Sequence, residues 1–214
     1  MPRKKLIYTH EYPYHITARS NNKDSFYLPK EKVWNIFICN LNKITEAYGF
    51  QCHEFLLMSN HYHLIGSTTT KLLGDVFCFF QKSVSSDINS ESKRVNHVFG
   101  GPYKPSLITT PAYYYHVYKY LYRNPVQAKV VNRVQDYPFS TLQTNKLQKF
   151  PMPKLKSIES GINCHVPSVF NERLDWLNRE YSKESHQMIQ KGLRRTTFKI
   201  VSKSRRTRTD LNFQ

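Results

Sequence analysis

The chain of 214 residues is strongly basic, with 32 Lys and Arg against 15 Asp and Glu, which gives a formal charge of +17. Hydrophobic residues make up 39% and aromatic residues 14%, enough for a packed core and too many for a wholly disordered basic protein. No apolar run predicts a membrane span, and no apolar leader follows the basic start, so we expect no secretory signal. The charge indicates an anionic partner, with nucleic acid as the first candidate.

The first half of the chain alternates between strand and helix patterns. Residues 12–19 alternate as a strand, and residues 30–48 carry the apolar stripe of a helix. Residues 51–58 and 61–67 then form two strands separated by a connection short enough for an antiparallel hairpin. These patterns predict a strand, a helix and a hairpin in succession.

Three further elements follow the hairpin. Residues 71–91 predict a second helix, and residues 103–109 a fourth strand that Pro105 places at a sheet edge. Residues 112–124 predict a third helix that Pro125 stops or kinks. The first six elements match the split βαβ, ferredoxin-like arrangement, an α+β fold with an antiparallel sheet in which the third strand is internal.

The composition changes after residue 136, where prolines interrupt the pattern. A helix is expected at 171–190, and residues 191–209 hold eight basic residues and no acidic one. The sequence therefore predicts a domain at 1–145, a helical extension at 146–190 and a basic, partly disordered tail at 191–214.

The sharpest local feature is the sequence His61-Tyr62-His63. Residues i and i+2 of a strand point to the same face, so the two imidazoles lie side by side and can bind a metal ion. The alternative is that both are ordinary polar residues on a solvated sheet face. His53 on the preceding strand would make a three-His zinc site only if the strand register brought it alongside.

A second feature is Tyr120 with Asn124, four residues apart on one face of the third helix. A phenol is a poor nucleophile at neutral pH, but it becomes effective when a metal ion activates the electrophile. The amide oxygen of Asn124 is a hard ligand suited to magnesium or manganese. Spacing alone does not single out Tyr120, because this helix carries six tyrosines: Tyr113, Tyr114, Tyr115, Tyr118, Tyr120 and Tyr122.

Together these features resemble a known family, the HUH single-tyrosine transposases. Segment 57–65, LMSNHYHLI, resembles their His-hydrophobic-His motif, and segment 120–128, YLYRNPVQA, resembles their tyrosine helix. Weaker matches occur in the same order along the chain at 14–19, 100–106 and 136–140. The most similar subgroup is the REP-associated tyrosine transposases, relatives of the insertion-sequence-200-like class, and the resemblance covers about residues 5–145.

The resemblance implies an HUH-endonuclease fold with a tyrosine-bearing helix near the end of the domain. It implies that Tyr120 is the nucleophile, and that His61, His63 and Asn124 bind Mg²⁺ or Mn²⁺. The substrate would be single-stranded or hairpin DNA, nicked and rejoined through a 5′-phosphotyrosine intermediate during transposition. The resemblance also implies a bacterial cytoplasmic protein, monomeric or homodimeric, with no membrane partner.

Basic and aromatic residues near these motifs are expected to contact DNA. They are His15, Arg19, Tyr103, Lys104, Arg123, Arg194 and Arg195. Two alternatives stay open: a transposase-derived protein that binds repeat hairpins without turnover, and an RNA-binding protein, because a ferredoxin-like sheet with aromatics is also the plan of the RRM.

Overall fold

The computed structural model of the protein describes residues 6–143 and 166–200. Its sheet is antiparallel, with the strand order β2-β3-β1-β4. The strands are β1 (Tyr14–Arg19), β2 (Gln51–Leu57), β3 (His61–Ser67) and β4 (Lys104–Leu107). The predicted inner position of β3 and edge position of β4 are both confirmed. Helix α1 (Lys30–Tyr48) joins β1 to β2, which run parallel to each other on either side of β3.

Helices α1 and α2 (Leu73–Ser92) cover one face of the sheet. The buried ring of Tyr62 on β3 packs against Phe37 of α1, with centroids 5.4 Å apart, and against Phe80 of α2 at 6.0 Å. The even-numbered side chains of β3 therefore enter this core. Neighbouring residues on a strand point to opposite faces, so His61 and His63 point to the other face of the sheet.

That other face is covered by α3 (Pro111–Gln127). Thr110 caps the helix, its hydroxyl accepting a hydrogen bond from the Tyr113 backbone at 3.2 Å, and Pro111 occupies the first turn. The helix continues through Pro125 to Gln127 rather than ending at 124 as predicted. Pro125 leaves the Leu121 carbonyl without its helical N–H donor, and the Asn124 side-chain amide donates to that carbonyl at 3.3 Å instead.

The C-terminal extension forms two helices, α4 (Phe170–Asn178) and α5 (Lys183–Gly192), both packed on α3. The prediction of one helix over 171–190 is therefore wrong. The chain is extended at Arg179, and the Ser182 hydroxyl starts the new helix by accepting a hydrogen bond from the Ser185 backbone at 3.1 Å.

After α5 the chain runs along the outer edge of β4. The Leu107 backbone donates to the Thr196 carbonyl, and the Phe198 backbone donates to the Leu107 carbonyl, each at 2.8 Å. The first ten residues of the predicted basic tail are thus packed against the domain. Residues 201–214 and the predicted boundary at 145 lie outside the described residues. Across 6–143 and 166–200, no helix combines the length and apolar character needed to cross a membrane.

Candidate functional site

The two motif histidines lie together beneath α3. The ring centroids of His61 and His63 are 5.1 Å apart, and the Tyr120 ring meets His63 edge-on at 5.7 Å. His61 is partly buried, and its Nδ1 lies 2.7 Å from the Asn60 side-chain oxygen. As strand alternation predicted, the pair shares one face, and that face is the one turned towards the tyrosine helix.

A third histidine completes the group. His15 of β1 places its Nε2 atom 2.9 Å from Nδ1 of His63, and the two rings stack with centroids 5.1 Å apart. His15 is 2% exposed, and its predicted contact with DNA stays a prediction. The sequence showed that His15 shares a face with Arg19, but only the pairing of β1 with β3 reveals its contact with His63.

Asn124 lies beside the histidines, as its helical spacing from Tyr120 requires. Its amide nitrogen donates to the carbonyls of Tyr120 at 2.8 Å and Leu121 at 3.3 Å, which turns the amide oxygen away from the helix backbone. The Asn124 side chain is close enough to His63 to oppose part of the shift in the pKa of that ring. Nε2 of His63 is buried without a hydrogen-bond partner in the described part of the chain.

These atoms form a mixed set of donors for a metal ion. Two imidazoles and one amide oxygen fit a divalent cation, and the orphaned Nε2 of His63 is the observation that favours one. Residues 6–143 and 166–200 contain no cluster of three His, Cys, Asp or Glu side chains suited to a metal, and the amide oxygen of Asn124 is the third donor that lies beside His63. His53 does not join the group, because it contacts Ser67 at the opposite end of β3, with 2.9 Å between Nε2 and Oγ.

Burial keeps the histidines neutral. It lowers the pKa of His15 to about 3, and together with the nearby Arg19 it lowers the pKa of His61 to about 4. The pKa of His63 lies well below its usual value, because of burial first and the neighbouring His61, His15 and Arg19 second. Neutral imidazole is the form that ligates metals, so the rings are ready to bind at neutral pH.

The structure separates Tyr120 from the other tyrosines of α3. Burial raises the pKa of the Tyr120 phenol, while a hydrogen bond with Gln190 and the charges of Arg194 and Arg19 act to lower it. Its ring also packs against His186 of α5, with centroids 5.5 Å apart. Tyr118 and Tyr122 contact other partners: Tyr118 packs on Trp176, and the Tyr122 hydroxyl donates to Glu54.

The remaining predicted DNA contacts divide by position. Arg19, Lys104, Arg194 and Arg195 are exposed. Arg19 lies opposite His61 in the register, and Lys104 lies opposite Thr17, which in turn lies opposite His63. Opposite residues in an antiparallel sheet share a face, so Arg19 and Lys104 lie on the histidine face.

Tyr103 and Arg123 do not join this surface. The Tyr103 ring packs on Phe77 of α2 at 4.9 Å, on the opposite side of the sheet. Arg123 is 1% exposed, and its guanidinium donates to the carbonyls of Leu177 and Asn178 at 2.8 and 2.9 Å. In this structure the side chain therefore attaches α4 to α3, and its predicted contact with DNA stays a prediction.

The fold and this site together define an α+β protein in which two strand histidines face a tyrosine-bearing helix. A solved structure of a REP-associated tyrosine transposase bound to a REP hairpin has a similar fold, with a TM-score of 0.54 and 18% sequence identity. The similarity covers 75% of this chain and 97% of that chain. Neither a protein-family model nor a curated protein matches the sequence.

Proposed function

We propose that the protein is a DNA strand transferase of the REP-associated tyrosine transposase class, which nicks and rejoins single-stranded or hairpin DNA. The observation that carries this proposal is the edge-on contact of Tyr120 with His63, a ring that also neighbours His61 and the Asn124 side chain. The position of β3 between two parallel strands that α1 connects supports it, because this is the split βαβ order of the ferredoxin-like HUH fold.

In this proposal His61, His63 and Asn124 hold a Mg²⁺ or Mn²⁺ ion. When bound, the ion polarises the scissile phosphate and neutralises charge on its oxygens. The strand histidines cannot move far, because β3 is paired on both sides, so the site presents the phosphate in a fixed orientation.

Tyr120 supplies the nucleophile. Its oxygen forms a bond to phosphorus, the bond from phosphorus to the 3′ oxygen breaks, and the proton lost by the phenol ends on the released 3′-hydroxyl. One phosphodiester replaces another, so the step is reversible onto a second 3′-hydroxyl without ATP. Arg19 and Arg194 act on the Tyr120 hydroxyl with their positive charge, which favours the phenolate and the anionic phosphate beside it.

DNA would lie along the exposed cations of the histidine face and the C-terminal segment, which include Arg19, Lys104, Arg194 and Arg195. Contacts of this kind weaken as salt rises. Tyr120 itself is only 7% exposed, because α5 covers it through His186 and Gln190. A strand therefore reaches the hydroxyl only after α5 has shifted.

The same burial favours one alternative, a hairpin-binding protein that no longer cleaves. Covalent capture separates the two functions. The substrate is a 3′-labelled oligonucleotide that carries the inverted repeats flanking the gene, incubated with Mn²⁺ and resolved on a denaturing gel. The proposal expects a labelled protein–DNA adduct from the wild-type protein. Hairpin binding without any adduct would support the alternative, and preferential binding of the matching RNA would point to an RNA-binding protein.

Tyr120→Phe is expected to abolish the adduct and leave hairpin affinity nearly unchanged, because only the nucleophilic oxygen is removed. Tyr118→Phe is the matched control: it lies on the same helix and is equally buried, but packs on Trp176 instead of the histidines. The control should form the adduct at the wild-type level. An adduct that persists in Tyr120→Phe contradicts the assignment of the nucleophile.

A further inference from the structure

The sheet itself holds His15 against His63. Nε2 of His15 lies 2.9 Å from Nδ1 of His63, and the rings are 2% and 5% exposed. In the register of β1 with β3, His15 lies opposite Ile65 and Thr17 lies opposite His63, so the two histidines are diagonal neighbours on one face. Paired backbone on both strands fixes this contact.

The hydrogen bond between the two rings contains one proton. Which of the two rings carries that proton determines whether Nε2 of His63 can bind a metal ion. If His63 donates from Nδ1, its Nε2 carries a lone pair. If His15 donates instead, a neutral His63 carries its proton on Nε2 and cannot bind a metal ion there. Nε2 is the atom of His63 that is buried without a partner among the described residues, beside the Asn124 side chain.

Ligation of a metal ion at Nε2 of His63 requires the first arrangement. When His15 accepts at Nε2, its own proton lies on Nδ1, a buried atom with no partner in the described structure. Ser106 of β4 lies directly opposite His15, is fully buried, and points to the same face of the sheet. Its hydroxyl can donate or accept, so it suits His15 in either arrangement and does not select one.

We infer that His15 is a positioning residue that accepts the Nδ1 proton of His63 and so presents the Nε2 lone pair of His63 to a metal ion. This inference rests on the metal site of the proposed function. His15 contacts no substrate in this role and acts through His63. A ligating histidine commonly donates its second N–H to such an acceptor, which fixes both its tautomer and its ring orientation.

The tautomer is measurable without DNA or any variant. Long-range proton–nitrogen NMR correlations of the full-length, ¹⁵N-labelled protein saturated with Mg²⁺, a diamagnetic ion, distinguish Nδ1–H from Nε2–H on each histidine. We expect His63 in the Nδ1–H form and His15 with an unprotonated Nε2. A wild-type His63 that carries its proton on Nε2 would overturn the inference.

Two substitutions test the consequence for the metal. His15→Phe keeps a ring but cannot accept a proton, and we expect it to weaken Mn²⁺ binding about 10- to 100-fold, followed by the loss of free-Mn²⁺ EPR signal. His15→Gln offers an amide oxygen in place of Nε2 and should recover most of the affinity. Unchanged affinity in a folded His15→Phe protein would refute the positioning role. A wild-type protein that binds no Mn²⁺ would refute the proposed metal site, whatever the tautomer.

Discussion

The orientation of the Asn124 amide follows from the proline after it. Pro125 has no N–H, so the Leu121 carbonyl lacks the donor that the helix would otherwise supply. The Asn124 amide nitrogen takes that place at 3.3 Å and donates to the Tyr120 carbonyl at 2.8 Å. With both amide protons held by the backbone, the oxygen is the group left for a ligand. One side chain thus completes the helix and presents a donor atom.

These two roles are separable by mutation. Asn124→Leu keeps the volume but leaves the Leu121 carbonyl without its donor, so we expect a loss of about 1–3 kcal/mol in the free energy of unfolding. It also removes the amide oxygen, so Mn²⁺ affinity should fall by about tenfold or more. Urea denaturation and Mn²⁺ titration by EPR measure the two effects.

The control is the double variant Asn124→Leu/Pro125→Ala. Alanine restores the N–H to the Leu121 carbonyl and has a higher helix propensity, so stability should return to the wild-type value or exceed it. Mn²⁺ affinity should stay low, because the oxygen is still missing. Recovery of Mn²⁺ binding in the double variant would show that Asn124 is not a ligand.

At the level of elements, the C-terminal segment both closes the sheet edge and holds α5 over Tyr120. The backbone of Thr196 and Phe198 pairs with Leu107, which blocks an edge that could otherwise pair with another chain. Phe198 is fully buried, 5.1 Å from the Tyr113 ring of α3. A short segment therefore ties α5, α3 and β4 together.

The close approach of this segment to α5 depends on Gly192. A Cβ atom there would lie 2.8 Å from the Lys199 carbonyl oxygen and 2.8 Å from the Phe198 ring. Backbone cannot yield easily at that distance, so Gly192→Ala should lower the melting temperature although alanine favours helix by about 1 kcal/mol. Gly74→Ala in α2 is the control, since its nearest neighbour would be 3.7 Å away, and it should hold or raise the melting temperature. A rise in Gly192→Ala would contradict the steric argument.

At the level of the whole molecule, the sequence predicted elements better than contacts. The order of strands and helices follows from local apolar periodicity, and the shared face of His61 and His63 follows from strand alternation alone. The bond between His15 and His63 joins residues 48 apart and needs the strand register. The break after α4 also depends on distant partners, because the Asn178 side chain bonds to the Val134 backbone and to Gln135.

Charge is unevenly distributed over the molecule. Within the described ranges the ion pairs, Lys32–Glu91 at 3.3 Å and Lys43–Asp87 at 3.8 Å, join α1 to α2 on the face away from the histidines. The exposed cations Arg19 and Lys104 lie on the histidine face instead. Under the proposed function, their charge attracts an anionic strand to the side of the sheet that carries Tyr120.

Buried titratable groups also make the stability of the whole fold depend on pH. Burial lowers the pKa of His15 to about 3 and of His61 and His116 to about 4, and it places that of His63 well below its usual value. Below pH 6.5 the unfolded chain binds protons that the folded protein does not, so the free energy of unfolding decreases as the pH is lowered. Glu54 acts in the opposite direction: burial raises its pKa to about 7, so the folded protein binds a proton there first.

The lowered pKa values of these four histidines should outweigh the raised pKa of one carboxyl group. Acidification from pH 7 to 4.5 should therefore lower the free energy of unfolding, measured by urea titration at each pH. Glu54→Gln removes the opposing contribution and should steepen the decline by up to about 1.4 kcal/mol per pH unit over that window. The exposed Glu31→Gln on α1 is the control and should follow the wild-type curve. A wild-type protein that becomes more stable on acidification would show that the histidines are not held neutral by the fold, because their burial is what makes the unfolded chain the better proton acceptor.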